Sequence, residues 1–376
     1  MSTYFHAPFS AGRVCDSGGF IQYIDSQSGL QAATDALSET RTLYFDTEFL
    51  REKTYHPLLC LAQINTGSDI YLIDPLAECD YEAFWSALLD RTLVMHSGRQ
   101  DLEVLNLAAG KLPAQVFDTQ IAAGIAGLPP QVGYANLVSN VCNVDLAKAH
   151  TRTDWSRRPL PQAVLDYAAD DVEYLPAIER HLTAILKDRG RWEWVIEDCA
   201  ALLDPALYVI QPDEAWRKLR GTQRLPIDTQ QRARALAAWR ERIAVERNLP
   251  RQWVIRDEQL IGIALENPPD KSALADIKGV HRKFVDRHYD AVITALQSQM
   301  TEIAPPQDRP DEAERLRTKA IAAAVKQTAA SLDMEGEILA PMREIKRAAR
   351  GDTNLRALTG WRNDVVGDVI RNLMPD

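Results

Sequence analysis

Four carboxylates stand out because their neighbours dictate where they point. Within Thr42 to Phe49, Leu43, Phe45, Thr47 and Phe49 alternate with Tyr44, Asp46 and Glu48. That alternation predicts a β-strand, on which Asp46 and Glu48 project from one face. Two like charges held so close require a compensating cation or a shifted pKa. Asp171 sits in a helical pattern: Val164, Tyr167, Ala168, Asp171 and Leu175 share one face, and Asp166, Asp170 and Glu173 point away from it. A carboxylate on an apolar stripe is costly unless it is hydrogen-bonded, ion-paired or metal-bound. Asp101 opens a second helical stripe with Val104, Leu105 and Ala108. There the helix dipole alone would favour an acid. Tyr167 lies one turn before Asp171 on the same face.

Taken together, Asp46, Glu48, Asp101 and Asp171 offer oxygen donors from three segments. Such a set suits a hard divalent ion, Mg²⁺ or Mn²⁺, rather than zinc. Carboxylate cages holding two such ions about 4 Å apart serve phosphoryl transfer, one ion activating a water and the other stabilising the leaving oxygen. Tyr167 is placed to orient the attacking water. An ordinary tyrosine pKa of about 10 makes it a poor general base at neutral pH.

The elements that must position these groups alternate in type. Strand-length runs at 42–49, 59–64 and 70–73 are followed by a helical pattern at 81–89, a strand at 93–96 and a helix at 100–109. This order implies an α/β domain with a mixed sheet and flanking helices. Beyond residue 160 every pattern is helical. Pro161 suits a helix start, and Pro176 is expected to break the helix that Pro161 opens.

The 376 residues exceed one ordinary core and suggest several domains. Pro205 to Pro212 and Ile303 to Pro310 read as linkers. The expected division is 1–205, then two all-α regions at 206–300 and 308–376. Gly279 and Gly360 suit helix-terminating turns. The segments GVHRKFVDRHYDAVITAL and GWRNDVVGDVIRNL look like equivalent ends of an internal duplication.

No apolar run approaches the roughly 20 residues of a membrane span, so no membrane partner is expected. Met1 to Gly12 lacks the pattern of a secretory signal. The cysteines, Cys15, Cys60, Cys79, Cys142 and Cys199, are scattered and contain no CxxC pair. A disulfide framework or zinc knuckle is therefore disfavoured, and a reducing cytoplasm is expected. Net charge is −10, but residues 1–200 carry 15 basic and 27 acidic residues, and residues 201–376 carry 28 and 26. The acidity thus sits with the carboxylate constellation, which would need cations before it tolerated a polyanion.

On these residues the chain resembles the DEDD exonuclease superfamily in its tyrosine-containing branch, and within it the ribonuclease D family. Three motifs carry the resemblance: FDTEFLREKTYHPLLCLAQI (45–64) with Asp46 and Glu48, HSGRQDLEVL (96–105) with Asp101, and YAADDVEYL (167–175) with Tyr167 and Asp171. FDTQIAA (117–123) and TDWSRRPL (153–160) are similar as well. LAAWRERIAVERNLP (236–250) and LTGWRNDVVG (358–367) resemble HRDC domains, so the likeness spans nearly the whole chain.

The resemblance implies a ribonuclease H-like domain followed by two HRDC-like domains, and two bound metal ions. It implies stepwise release of 5′-mononucleotides from RNA 3′ ends, typically of tRNA precursors and other small structured RNAs. A DNA exonuclease of the same superfamily and a non-catalytic RNA-binding scaffold are the alternatives. No obligate protein partner is indicated. Asp170 departs from the family, which more often has a small residue there. Asp74 and Asp118 read as structural acids near strand ends. Around 148–160, Lys148, Thr153, Trp155 and Arg158 are substrate candidates by resemblance, by phosphate contact or base stacking. Fixing the loop before Pro159 explains Trp155 and Arg158 equally well. His56 and His96 are candidates for substrate or metal contact, but a lone histidine is more often packed. Arg343, Lys346, Arg347 and Arg350 fall along one helical side, as either a solvated face or an RNA contact.

Overall fold

The alternating stretch that carries Asp46 and Glu48 forms an inner strand of a six-stranded sheet in a computed structural model describing residues 19–146, 153–222, 225–298 and 310–375. The strands are β1 (Ile21–Ile24), β2 (Thr42–Leu50), β3 (Leu58–Asn65), β4 (Ile70–Ile73), β5 (Thr92–Met95) and β6 (Gln115–Asp118). Their order is β1-β4-β3-β2-β5-β6. β1 runs parallel to β4, β2 to β5 and β5 to β6, whereas β3 and β4 are antiparallel, so the sheet is mixed as expected. Leu43, Tyr44 and Phe45 of β2 are all buried, which means both faces of the strand are covered.

Helices supply that cover: α1 (Gln27–Ser38), α2 (Glu82–Leu89), α3 (Arg99–Ala109), α4 (Thr119–Ile125), α5 (Tyr134–Cys142), α6 (Gln162–Glu173), α7 (Leu175–Asp188) and α8 (Trp192–Ala200). β1, α1, β6, α4 and α5 go beyond the sequence reading. β1 and β6 are four-residue strands, too short to show a period. α1 has a readable signature in hindsight: Ser26 caps it, and Leu30, Ala33, Thr34 and Leu37 face inward. The chain breaks at Tyr174, and Pro176 lies in the first turn of α7, where its missing N–H costs nothing.

The described residues divide into two compact units. The first comprises the sheet domain up to Tyr208, without residues 51–58, and everything from Pro310 onward. The C-terminal part holds α14 (Glu312–Ser331), α15 (Gly336–Leu339), α16 (Met342–Ala348), α17 (Gly360–Arg362) and α18 (Asp368–Arg371), the last two joined by a π-helical turn. It docks on the sheet domain around Asp198, a buried carboxylate that accepts from Arg362 Nη1 at 2.6 Å, Arg362 Nη2 at 2.7 Å and Trp361 Nε1 at 3.1 Å. Trp194 stacks on Trp361 with ring centroids 4.3 Å apart. Gly360 opens α17 rather than ending a helix, which corrects the sequence reading. Its φ is +51°, and a Cβ there would collide with the Glu197 carboxylate that caps the Trp361 N–H.

The second unit contains Arg51–Leu58 and the described residues from Val209 to 298. Its helices are α9 (Ile227–Glu246), α10 (Arg251–Val254), α11 (Asp257–Glu266), α12 (Lys271–Asp276) and α13 (Arg282–Gln297). Leu236, Trp239, Ile263, Leu274 and Val292 form its core. Tyr55 is held there by Glu241 and by Arg251, whose Nη2 donates to the Tyr55 hydroxyl at 3.0 Å. Gly279, with φ +82°, turns the chain between α12 and α13. Pro205 to Pro212, read as a linker, contains one 3₁₀ turn and the start of another. The expected linker at 303–310 lies, apart from Pro310, outside the described residues. Among the described residues no helix is long and apolar enough to cross a membrane, and Cys60, Cys79, Cys142 and Cys199 are free thiols.

Candidate active site

β2 is the common platform of the four acids. It carries Asp46 and Glu48, α3 packs on it with Asp101 in its first turn, and α6 packs on it and on β4 with Asp171 near its end. The three segments thus bring Asp46, Glu48, Asp101 and Asp171 within electrostatic reach of one another. Asp101 is buried, and the other three are half-buried.

The cost of that gathering appears in their protonation. Burial, then the charges of Asp101, Asp171 and Glu48, raise Asp46 well above the usual carboxylate range. Burial and the charges of Asp171 and Asp101 push Glu48 up to about 8. Burial, Asp170 and Asp101 push Asp171 up to about 7. Asp101 is raised least, to about 6, because hydrogen bonds oppose its burial. Besides one another, Asp170 acts most on Asp171 and Asp118 acts on Asp101, so the main charges that raise these acids are carboxylates. Such a cluster is stable at neutral pH when it keeps protons or takes up a cation.

Oxygen-only donors from several carboxylates fit a hard divalent ion in number and chemistry. Among the described residues, no trio of His, Cys, Asp or Glu is already set as a finished metal cage. An ion would be held there only if these side chains drew together around it.

Tyr167 is half-buried on α6, one turn before Asp171, as its helical face requires. Burial, followed by the charges of Asp171, Glu48 and Asp46, raises its hydroxyl above the ordinary tyrosine range. It is therefore a hydrogen-bonding group and not a base at neutral pH. Asp170 is no bystander in charge: it is the largest electrostatic contributor to Asp171 after burial.

The substrate candidates divide. Lys148 lies outside the described residues, and Thr153 is half-buried. Trp155 is only 5% exposed, with its ring 6.3 Å from that of Tyr167, so it has little free face for a base. Arg158 turns into the protein. Its Nε and Nη2 donate to Asp74 at 2.5 and 2.6 Å, Nη2 to the Cys60 carbonyl at 2.7 Å, and Nη1 to the Trp155 carbonyl at 2.7 Å. Tyr23 also donates to Asp74, at 2.5 Å. His96 packs against Tyr134, with Nδ1 2.9 Å from Thr119 Oγ1. His56 belongs to the second unit, edge-on to Tyr55. Arg347 and Arg350 are paired with Asp352 and Glu314, which partly neutralises that basic side.

Two further residues support the site, Thr47, which the sequence reading passed over, and Asp118, which it read as structural. Thr47, buried between the two acids of β2, donates its hydroxyl to Asp101 at 2.5 Å. The alternation of β2 puts Thr47 on the face away from Asp46, and nothing local in the sequence shows that Asp101 reaches it. Asp118 does more than cap α4. Its carboxylate accepts from Ser97 N at 3.1 Å and Gly98 N at 2.8 Å, fixing the turn that starts α3. Gly98 is required there, since a Cβ would stand 2.8 Å from Met95 Cβ.

Comparison with known proteins places this geometry. The 3′–5′ exonuclease family profile matches residues 21–187, and the HRDC domain profile matches residues 229–296. A ribonuclease D of Acidiphilium cryptum is 37% identical over 92% of this chain and 91% of its own length. One from Cronobacter turicensis is 31% identical over 93% and 99%. The crystal structure of Escherichia coli RNase D, an exoribonuclease involved in structured RNA processing, superposes with a TM-score of 0.83 at 29% identity, covering 94% of this chain and 98% of that one.

Proposed function

The chain belongs to the ribonuclease D family and is a 3′→5′ exoribonuclease of the DEDD superfamily, and we propose that it trims tRNA precursors and other small structured RNAs with two divalent ions, Mg²⁺ or Mn²⁺. Asp46, Glu48, Asp101 and Asp171 would hold those ions. The observation that carries this is the gathering of four acids from three segments, all of them raised by burial and by neighbouring carboxylate charge. When bound, the ions supply charge stabilisation for attacking and leaving oxygens at the 3′-terminal phosphodiester.

The remaining chemistry falls to the chain's own side chains. Tyr167 keeps its proton and orients the attacking water by a hydrogen bond. Thr47 holds Asp101 in place, and Asp118 holds the turn before it. Trp155 and Arg158 support the Tyr167 side of the site from the loop before Pro159, whereas Lys148 and Thr153 are the candidates in that stretch for touching RNA. Scattered free thiols suit a reducing cytoplasm.

We also assign residues 308–376 as a second HRDC-like domain after the first at 206–300, with the exonuclease domain at 1–205. The helices of the two all-α regions support this. α9 and α14 start at Ile227 and Glu312 and end at Glu246 and Ser331, a constant offset of 85 residues.

The test is a time course on a 5′-labelled RNA hairpin with a single-stranded 3′ tail, beside its all-deoxy counterpart. A ladder shortening from the RNA 3′ end in Mg²⁺, absent in EDTA and absent for Asp46→Ala, is expected. Preference for the deoxy tail would favour DNA chemistry. Binding without shortening in any divalent metal would favour a scaffold.

A further inference from the structure

α6 carries Tyr167 and Asp171 and stops two residues after Asp171, at Glu173. A helix leaves its last four carbonyls without intrahelical partners, and such an end frays unless other groups take them up. Here those carbonyls belong to Asp170, Asp171, Val172 and Glu173. Fraying is also the easiest way for Asp171 to move away from the carboxylate charge of Asp170 and Asp101. A site that keeps its acids together therefore has to hold this turn from outside.

Side chains from two other elements do this. From the end of β3, Asn65 Nδ2 donates to the Val172 carbonyl at 3.1 Å and to the Glu173 carbonyl at 3.5 Å. Its Oδ1 accepts from Gly67 N at 2.6 Å, which fixes the orientation of the amide. From the start of α5, the Tyr134 hydroxyl donates to the Asp170 carbonyl at 2.9 Å and accepts from Tyr174 N at 3.3 Å. Asp170 O and Tyr174 N are four residues apart, the pair that an unbroken α-helix joins directly. The hydroxyl is set between them, and a side chain inserted into that ladder kinks or breaks a helix. The break between α6 and α7 falls at Tyr174 itself.

Tyr134 is in turn held by its surroundings. Its ring packs against His96, with centroids 5.6 Å apart, in the segment that leads from β5 into α3. Two residues before it, the Val132 carbonyl accepts from Gln120 Nε2 at 3.1 Å. One tyrosine thus touches both the segment leading to Asp101 and the turn that carries Asp171. Burial, opposed by the Tyr174 hydrogen bond and reinforced by the charges of Asp171 and Asp46, holds its hydroxyl above the ordinary tyrosine range, so it keeps the proton it donates. We propose that Tyr134 is a positioning residue of the active site, its hydroxyl standing in the helix ladder between Asp170 and Tyr174 and holding Asp171 where it meets the ion. This rests on Asp171 being a ligand of the divalent ion. A tyrosine that only filled space would need its ring and not its hydroxyl, so Tyr134→Phe separates the two roles.

Two measurements on the full chain test it: backbone hydrogen exchange in EDTA, read by mass spectrometry, and calorimetric binding of Mn²⁺. In Tyr134→Phe, exchange should quicken at the junction of α6 and α7 and stay as in wild type in the strands. Mn²⁺ affinity should fall about tenfold, the lower end of what losing a partner behind a metal ligand costs. Saturating Mn²⁺ should restore kcat on the RNA hairpin to the wild-type value, with KM for RNA unchanged. Unchanged Mn²⁺ affinity would overturn the proposal, as would unchanged exchange at the junction. Exchange that quickens throughout the sheet domain would overturn it too, by showing a hydroxyl that serves the fold as a whole. Wild type that binds no Mn²⁺ would instead refute the four-acid ion site, and the positioning role with it.

Discussion

Replacing Asp171 with Asn should make the metal-free protein more stable at pH 8 while abolishing hydrolysis. Asp171 is held up at about 7 from the ordinary 3.8 by burial and by Asp170 and Asp101. The folded state therefore keeps a proton that the unfolded chain gives up near pH 4. Below that pH both states are protonated and the carboxyl costs nothing. As pH rises from about 4 to 7, wild-type stability drains away, and above 7 the ionised, repelled carboxylate is carried in full. About three pKa units correspond to about 4 kcal/mol at 1.36 kcal/mol per unit. Relaxation and solvent around a half-buried group reduce this to about 2 kcal/mol or somewhat more. Asparagine keeps the shape and drops the charge. Urea unfolding of both proteins in EDTA at pH 4, 6 and 8 reads the difference directly. The variant should equal wild type near pH 4 and gain progressively towards pH 8. Saturating Mg²⁺ should then reverse the order, because only wild type binds the ion fully. A variant less stable than wild type at pH 8 in EDTA, or a difference that does not change with pH, would refute the electrostatic reasoning.

Thr47→Val removes the hydroxyl that donates to Asp101 and keeps the side-chain shape. The Mn²⁺ concentration for half-maximal activity should rise about 10- to 100-fold, the usual effect of losing a partner of a metal ligand, and an unchanged midpoint would remove Thr47 from the supporting role. Arg158→Ala strands the buried Asp74 carboxylate and should cost about 3–5 kcal/mol in urea unfolding. Burial pushes Asp74 up, but hydrogen bonds from Arg158 and Tyr23 outweigh it and hold it below its usual range. Its contribution is therefore present above about pH 4 and lost in acid. A variant of unchanged stability that binds RNA more weakly would return Arg158 to the substrate.

The local placement of the acids was more legible than the architecture. Period alone selected Asp171 over Asp170, and strand alternation paired Asp46 with Glu48, because each depends on local geometry. What local geometry does not carry is which element covers which. Thr47 meets Asp101 across 54 residues, and Asp118 reaches back 20 to Gly98. The sequence left Arg158 open between phosphate contact and loop fixing because its charge is visible there and Asp74, 84 residues away, is not visibly its partner. Gly360 was misplaced for a similar reason: its positive φ serves a close approach to Glu197 rather than a helix end. β1 and β6 were too short to show a period, so sheet pairing alone defines them.

The most direct test of the central claim, that acids from three segments make one cation site, is calorimetric titration of Mn²⁺ into metal-free wild type and Asp46→Asn. It is run at pH 7 in two buffers of different ionisation heat. Glu48, at about 8, and Asp171, at about 7, still hold protons there, so binding should release protons to the buffer, and the observed heat should differ between buffers. Asp46→Asn should bind far more weakly. Wild-type binding with the same heat in both buffers, or equal affinity in the variant, would contradict it.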